Sequence, residues 1–308
     1  MKKILVIGSS NMDFRIRVHQ LPKPGETLLS QSLENIPGGK GGNQAYAVGK
    51  LGGDGVFLSA VGMDAFGETL IESMCSSGID ASCMRRCLDC PTGNAMVFVS
   101  DAGENQIVVT SGANFCCDLP YLKQHAALFH DCKILLIQME IPLESVLYAL
   151  QAAKTCGNCT ILNPAPVPEK FPEEIFPLLD YITPNETELV KLAGSDLNPD
   201  SLDDVRTGCS RLLQKGVQNV LVTLRKRGAF LCNRQTERQF LPPEGPALDT
   251  TAAGDTFNGA FAVMLANGRS PEEAICFANA AATISVSRKG AQSSIPSFQE
   301  VLQFQASL

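Results

Sequence analysis

The apolar residues of this chain fall into two alternating patterns. Short unbroken runs rich in Val, Ile and Leu predict buried strands at Ile4–Ile7 and at residues 56–61, 134–138, 160–163, 181–183 and 220–223. Longer stretches with apolar positions three and four apart predict a helix ending near residue 76 and others over 119–129, 143–154, 173–179, 186–192 and 202–213. From residue 119 onward strand and helix alternate strictly. That is the pattern of an α/β protein with a mostly parallel sheet and helices on both faces. Two regions depart from it. Residues 15–18 and 27–33 are extended around a Leu21-Pro-Lys-Pro-Gly25 turn; no helix follows, so they are expected to leave the parallel core. Residues 94–100 and 106–110 read as a hairpin through Asp101-Ala-Gly-Glu104.

Polar residues gather where the apolar runs end, and in open α/β sheets ligands bind at the carboxyl ends of strands. Gly8-Ser-Ser-Asn11-Met-Asp13 follows the first run; Asn11 and Asp13 read equally as polyol ligands or as a capped turn. Glu140, Asn163, Asn185 to Glu188, and Thr223 to Gly228 close four successive strands, and four such ends on one rim define a site. Pro37-Gly-Gly-Lys-Gly-Gly-Asn43 lacks the Ser or Thr of a Walker loop and does not follow a core strand. Its glycines let backbone approach a small ligand, with Lys40 and Asn43 as contacts, and Asn43 is expected to cap a helix reaching Leu51; a flexible loop is the alternative. Ala252-Ala-Gly-Asp255 precedes an apolar stretch that Asn267-Gly268 ends, a helix stop. A turn feeding a helix N-terminus offers unpaired N–H groups and the positive end of the dipole. Ala252, Ala253 and Gly254 are small enough for an anion to approach, and Asp255 is placed to accept a proton from an attacking hydroxyl. Taken alone, that segment reads better as an ordinary acidic helix start.

The 308 residues are 44% apolar, enough for a sizeable core in one large α/β domain or two smaller ones. A net charge of −7 without a long basic run argues against nucleic acid or an anionic membrane as partner. No stretch is apolar enough to span a membrane, and the short run after Lys2-Lys3 reads as a strand rather than a signal peptide, so a cytoplasmic location is expected. Cys87-Leu-Asp-Cys90 and Cys156-Gly-Asn-Cys159 lie too far apart for a zinc ribbon, and His19, His125 and His130 add no matching ligand pair. Buried filler is the expected role of the cysteines.

Taken together, the Gly38 to Ala47 cluster and the Asp249-Thr-Thr-Ala-Ala-Gly-Asp255 segment before a helix resemble the two signatures of the PfkB family of sugar kinases, in order and over nearly the whole chain. Further stretches, Pro24-Gly-Glu-Thr27, Gln138-Met-Glu140, Asn163-Pro-Ala-Pro166, Thr183-Pro-Asn-Glu-Thr-Glu188 and Arg288-Lys-Gly-Ala-Gln292, are similar to the ribose kinases of that family more than to its fructose, ketodeoxygluconate or adenosine kinases. The resemblance implies a single domain over 1–308, a three-layer α/β sandwich with a mostly parallel central sheet, plus a small β-sheet lid inserted at about 14–36 and 94–110. It implies transfer of the ATP γ-phosphate to the 5-hydroxyl of D-ribose. Asp255 would be the general base and the N–H groups of Ala252, Ala253, Gly254 and Asp255 an anion hole. Asn11, Asp13, Gly39, Lys40, Asn43 and Glu140 would hold the sugar. Asn185 and Glu188 would place Mg²⁺ and phosphates, with Thr223, Arg225, Gly228, Gly254 and Asn279 lining the nucleotide pocket. A K⁺ site is implied at Asp249, Thr251, Ser285, Arg288, Gly290 and Ser294, and a homodimer through the lid. A kinase for deoxyribose or a nucleoside is the alternative within the class, and a sugar-binding regulator the alternative outside it, although a regulator has no need of Asp255. In Leu224-Arg-Lys-Arg-Gly228 the chain departs from the family, with Arg225 where a glycine is usual. Arg225 is expected along the mouth of the nucleotide pocket, the alternative being a solvated loop residue.

Overall fold

The computed structural model describes residues 2–307. In chain order its strands are β1 (Ile4–Ile7), β2 (Asn11–Val18), β3 (Ser32–Gly38), β4 (Gly55–Gly62), β5 (Met84–Cys87), β6 (Gly93–Ser100), β7 (Asn105–Thr110), β8 (Ile134–Ile137), β9 (Cys159–Leu162), β10 (Tyr181–Ile182), β11 (Asn219–Thr223), β12 (Ala229–Asn233) and β13 (Glu237–Phe240). The helices are α1 (Lys40–Lys50), α2 (Ala65–Ser77), α3 (Leu119–Gln124), α4 (Ala127–Asp131), α5 (Leu143–Thr155), α6 (Glu186–Ala193), α7 (Leu202–Gln214), α8 (Ala253–Ala266), α9 (Pro271–Val286) and α10 (Phe298–Ala306).

Among the described residues the main sheet runs β13-β12-β11-β10-β9-β8-β1-β4-β5. Strands β11 through β5 pair in parallel, and at one edge β12 pairs antiparallel with β11 and β13 antiparallel with β12. Residues 4–7 pair with 55–58 on one side and 134–137 on the other, so chain order reverses between β1 and β8. Alternate side chains enter opposite layers. Ile4 and Val6 join Phe57, Leu136, Phe261 and Phe277 against α1, α2, α8 and α9, while Leu5 and Ile7 join Leu58, Leu135, Val146, Leu189 and Leu212 against α5, α6 and α7. Burial on both faces is why these strands read as continuous apolar runs rather than alternations. Each fully buried Phe on these layers contributes about 1.5–3 kcal/mol relative to exposure.

The small sheet runs β3-β2-β6-β7, with β2 and β6 parallel at its centre. Asn11 and Asp13 therefore lie on its strand β2 and not in a capped turn, because β2 begins at Asn11. The extended stretch expected at 27–33 is instead β3, five residues later, registered so that Asn11 faces Gly38. The helix after the first glycine cluster starts at Lys40 with Gly39 as its N-cap, so Asn43 is an interior residue and not the cap. The single helix expected over 119–129 breaks into α3 and α4 at His125 and Ala126.

Candidate active site

The topological switch between β1 and β8 is where a parallel sheet opens a crevice at its carboxyl end. The residues after β1, β8, β9 and β10 meet there, covered by α1, α8 and strand β2. Helix α8 is brought close by a small residue: a Cβ on Gly259 would lie 2.5 Å from the Ala47 Cβ and 2.9 Å from the Gln44 carbonyl of α1. This approach sets the α8 N-terminus against the polar side chains of α1. Asp255, 8% exposed, accepts from Asn43 Nδ2 at 2.9 Å through one carboxylate oxygen and from Gln44 Nε2 at 3.0 Å through the other.

The turn ahead of Asp255 has Ala252 in the left-handed region at φ 59°, which aims the following N–H groups outward. Ala253 N–H makes a long 3.3 Å bond to the Thr250 carbonyl, and Thr256 N–H bonds to the Ala252 carbonyl at 2.8 Å. Among the described residues those of Gly254 and Asp255 have no protein acceptor. A Cβ at Gly254 would meet nothing within 4 Å, so the turn is open on the side a side chain would occupy. An anion with a carboxylate at its side fits this arrangement.

Acceptors line the other wall. Glu140 accepts from the Ser9 hydroxyl at 2.5 Å and from the Lys40 N–H at 3.0 Å. Asp13 has one carboxylate oxygen buried without a partner. Burial pushes its carboxyl up to about 7, helped by the charges of Glu140 and Asp255 and opposed by Arg15. Asn11 spends its Oδ1 on Asn114 Nδ2, at 2.6 Å, which keeps its own NH₂ for a ligand. Gly39 turns at φ +81°, and a Cβ there would sit 2.8 Å from the Asn11 nitrogen, so only glycine allows the bend. Burial alone would lower the Lys40 ammonium, but Asp255, Glu140 and Glu188 outweigh it and the net shift is upward. One cation thus stands among the carboxylates of both walls.

On the far side Asn185 and Glu188 form the capping box of α6, Asn185 Oδ1 accepting from Glu188 N–H at 2.8 Å and Glu188 Oε2 from Asn185 N–H at 2.9 Å. Burial pushes the Glu188 carboxyl up, against the Asn185 hydrogen bond and the Lys40 charge. Thr223 bridges to Asn185, and the loop closes through Leu224 N–H on the Gly228 carbonyl at 2.7 Å. Asn279 Nδ2 donates to the Phe240 carbonyl at 3.0 Å. Arg225 keeps the glycine-like backbone at φ 50°, and its side chain is 76% exposed, with Nε 3.6 Å from Glu186. Arg227 does the structural work of this loop, reaching Glu186 and the Pro199 and Asp200 carbonyls.

The expected cation loop is brought together in part. Asp249 accepts from Thr251 N–H and hydroxyl and from Gly290 N–H, and Ser285 and Ser294 share a 2.8 Å hydroxyl bond. Burial pushes the Asp249 carboxyl up, but these hydrogen bonds and Arg15 outweigh it and hold it low. Arg288 turns its guanidinium away to Glu300, at 2.6 Å. From the small sheet, Arg15 Nη2 reaches Asp249 Oδ2 at 3.3 Å and the Thr251 hydroxyl at 3.4 Å. Sequence reasoning gave no role to Arg15, Ser9, Gln44, Asn114, Gln138 and Asn258, although Ser9, Gln44 and Gln138 lie within stretches it singled out. Each is a polar residue whose partner is distant in the chain, so no local spacing marks it. Among the described residues no three His, Cys, Asp or Glu converge to hold a metal ion, and Cys90 and Cys116 approach only to 3.7 Å.

Free N–H groups at a helix N-terminus, a carboxylate beside them and a facing wall of carboxylate acceptors suit a kinase acting on a polyol. Residues 1–297 match the pfkB family carbohydrate kinase profile, and the chain belongs to that family. The ribokinase of Haemophilus influenzae is 41% identical over 303 residues, covering 98% of each chain. The Arabidopsis thaliana ribokinase, solved with ribose and ATP, superposes with a TM-score of 0.91 at 32% identity over 98% of each chain. The deoxyribokinase of Salmonella typhi is 34% identical over 301 residues, again 98% of each chain.

Proposed function

We propose that this chain transfers the γ-phosphoryl group of ATP to the 5-hydroxyl of D-ribose. The observation that carries the reading is the buried Asp255 carboxylate, fixed at both oxygens beside two open N–H groups and facing Asp13 and Glu140 across the cleft. In this reading Asp13, Glu140 and Asn11 take the sugar hydroxyls, Gly39 and Asn43 shape the floor, and Asp255 accepts the proton of the attacking hydroxyl. The N–H groups of Gly254 and Asp255 receive the phosphoryl oxygens at the positive end of the α8 dipole. Lys40 offsets the negative charge gathering between the two walls. Thr223, Gly228 and Asn279 line the nucleotide side, with Arg225 at its outer edge.

Mg²⁺ fits as a companion of the nucleotide, whose charge it offsets. Mg²⁺ sites use one or two carboxylates, waters and substrate phosphates, and Glu188 has one oxygen outside its capping box. K⁺ fits at Asp249, Thr251, Ser285, Arg288, Gly290 and Ser294, an oxygen-only set in which Arg288 and Gly290 serve through their carbonyls. The small sheet acts as a lid and as the surface of a homodimer: every residue of β7 is exposed, including Ile107, Val108 and Val109, and Leu33 is exposed on the opposite edge strand. A cytoplasmic location suits an ATP-using chain with twelve free cysteines.

Asp255→Asn is expected to lower kcat by at least about 10²-fold while calorimetry still detects ribose and ATP binding. A variant keeping more than a tenth of wild-type kcat overturns the assignment. A second reading, phosphorylation of 2-deoxyribose, draws on the Salmonella relative. A ratio of kcat/KM favouring deoxyribose over ribose would establish it.

A further inference from the structure

We infer that Gln44 is a positioning residue of the transfer reaction: its side-chain amide aims the Asp255 carboxylate, and it is itself oriented by Gln138 and Asn163. Gln44 stands in the second turn of α1 and has no exposed surface. Its Nε2 donates to Asp255 Oδ1 at 3.0 Å and to Asn163 Oδ1 at 3.1 Å, and its Oε1 accepts from Gln138 Nε2 at 2.6 Å. A carboxylate offers acceptors only, so the amide presents its NH₂ to Asp255 and its carbonyl to Gln138, which must then present its own NH₂. Asn163 is fixed from the other side. Its Nδ2 donates to the Thr183 carbonyl at 3.0 Å, which leaves Oδ1 for Gln44. The Thr183 hydroxyl continues to Asn258 Oδ1 at 2.6 Å, and Asn258 Nδ2 returns to the Gly254 carbonyl at 2.8 Å. The chain of amides thus closes on the turn that carries the base.

Every N–H of the Gln44 side chain is engaged inside the protein, so sugar and nucleotide are out of its reach and it acts through Asp255. Asn43 differs: its Nδ2 holds the other Asp255 oxygen, but its Oδ1 is buried without a protein partner. Loss of Gln44 therefore leaves Asp255 held at one oxygen, free to pivot about the Asn43 contact. A misplacement of about 1 Å at a reacting group costs about 10²-fold in rate.

The test is Gln44→Met, which keeps volume and removes the donors, with Gln138→Met as a variant one step further out. For Gln44→Met kcat is expected to fall about 10- to 100-fold, with the KM values for ribose and ATP within about twofold of wild type. Gln138→Met should lower kcat less, about two- to tenfold, with the same unchanged KM values. Unchanged kcat in Gln44→Met, or a raised ribose KM at full kcat, overturns the inference. So does a failure of both variants to fold, which would make the network a folding element. The inference rests on Asp255 as the base, and Asp255→Asn assayed alongside separates the two. An active Asp255→Asn sinks the base assignment, whereas an inactive one beside a fully active Gln44→Met sinks only the role of Gln44.

Discussion

Asp13 carries a protonation state that depends on whether the cleft is filled. Burial and two neighbouring carboxylates raise its carboxyl from 3.8 to about 7. In the empty cleft the folded protein therefore holds a proton that the unfolded chain has lost, and stability falls as pH rises from about 4 to about 7. In the proposed contact a sugar hydroxyl donating to Asp13 favours the ionised form, so ribose binding would release that proton. Ribose affinity should rise with pH up to about 7, by at most about tenfold per unit, and level off above it; Asp13→Asn should bind more weakly and with a flat profile. Calorimetry from pH 5.5 to 8.5 measures this, and a flat wild-type profile would exclude the proposed contact. Asp13, Glu140 and Asp255 stood out in the sequence through their company on one rim of strand ends and through the family resemblance, since Asp13 alone read equally as a capped turn and Asp255 alone as an acidic helix start. Gln44 and Asn258 did not, since a polar residue within a helix looks like a solvated face until the opposing helix is known. At Arg225 the sequence left a nucleotide contact and a solvated loop residue both open, and the left-handed backbone at φ 50° sets the side chain, largely exposed, beside Glu186.

At the scale of elements, α1 repays attention because it starts in a glycine cluster and ends as ordinary helix. Gly42 is a helical residue with no positive φ, and a Cβ there would lie 3.5 Å from Gln292 Nε2 and from Ser10 Oγ, ordinary contact distance. Gly42→Ala should therefore stabilise the fold by about 0.5–1 kcal/mol, read as a higher urea midpoint at constant m. Both neighbouring atoms are buried without partners, so a lower midpoint would mean that the methyl displaces a bridging water. The central strands were legible because burial on both faces leaves only apolar side chains. Strand β5 was not, since Arg85 and Arg86 are exposed between buried Met84 and Cys87 and give no apolar run. Helix α9 was missed for another reason: its buried positions are largely Ala, Asn, Thr and Ser, small residues that pack against α8 without a strong apolar stripe. Strand β3 was displaced because its residues alternate weakly and only Gly38 is buried, so nothing local fixes the register that β2 imposes.

For the whole molecule, the small sheet has apolar residues on an outer edge that none of the described residues covers. Ile107 and Val109 point to one side of β7 at 55% and 53% exposure. Light scattering should give a mass near twice the 32.9 kDa of one chain. The double variant Ile107→Asp, Val109→Asp should give the single-chain mass with its thermal transition retained; a wild-type monomer at tens of micromolar would rule this interface out. The same sheet also bears on a reaction that a sugar kinase must avoid. Water is a competent acceptor for a γ-phosphoryl group whenever base and anion hole stand ready without sugar. Arg15 ties β2 to Asp249 and Thr251, just ahead of the turn that presents those N–H groups. If the sheet acts as the proposed lid, lifting it would withdraw a charge from the proposed phosphate turn as the sugar site opens. Admission of solvent and loss of catalytic alignment would then be one event, and futile hydrolysis would be disfavoured by the same motion that lets sugar in.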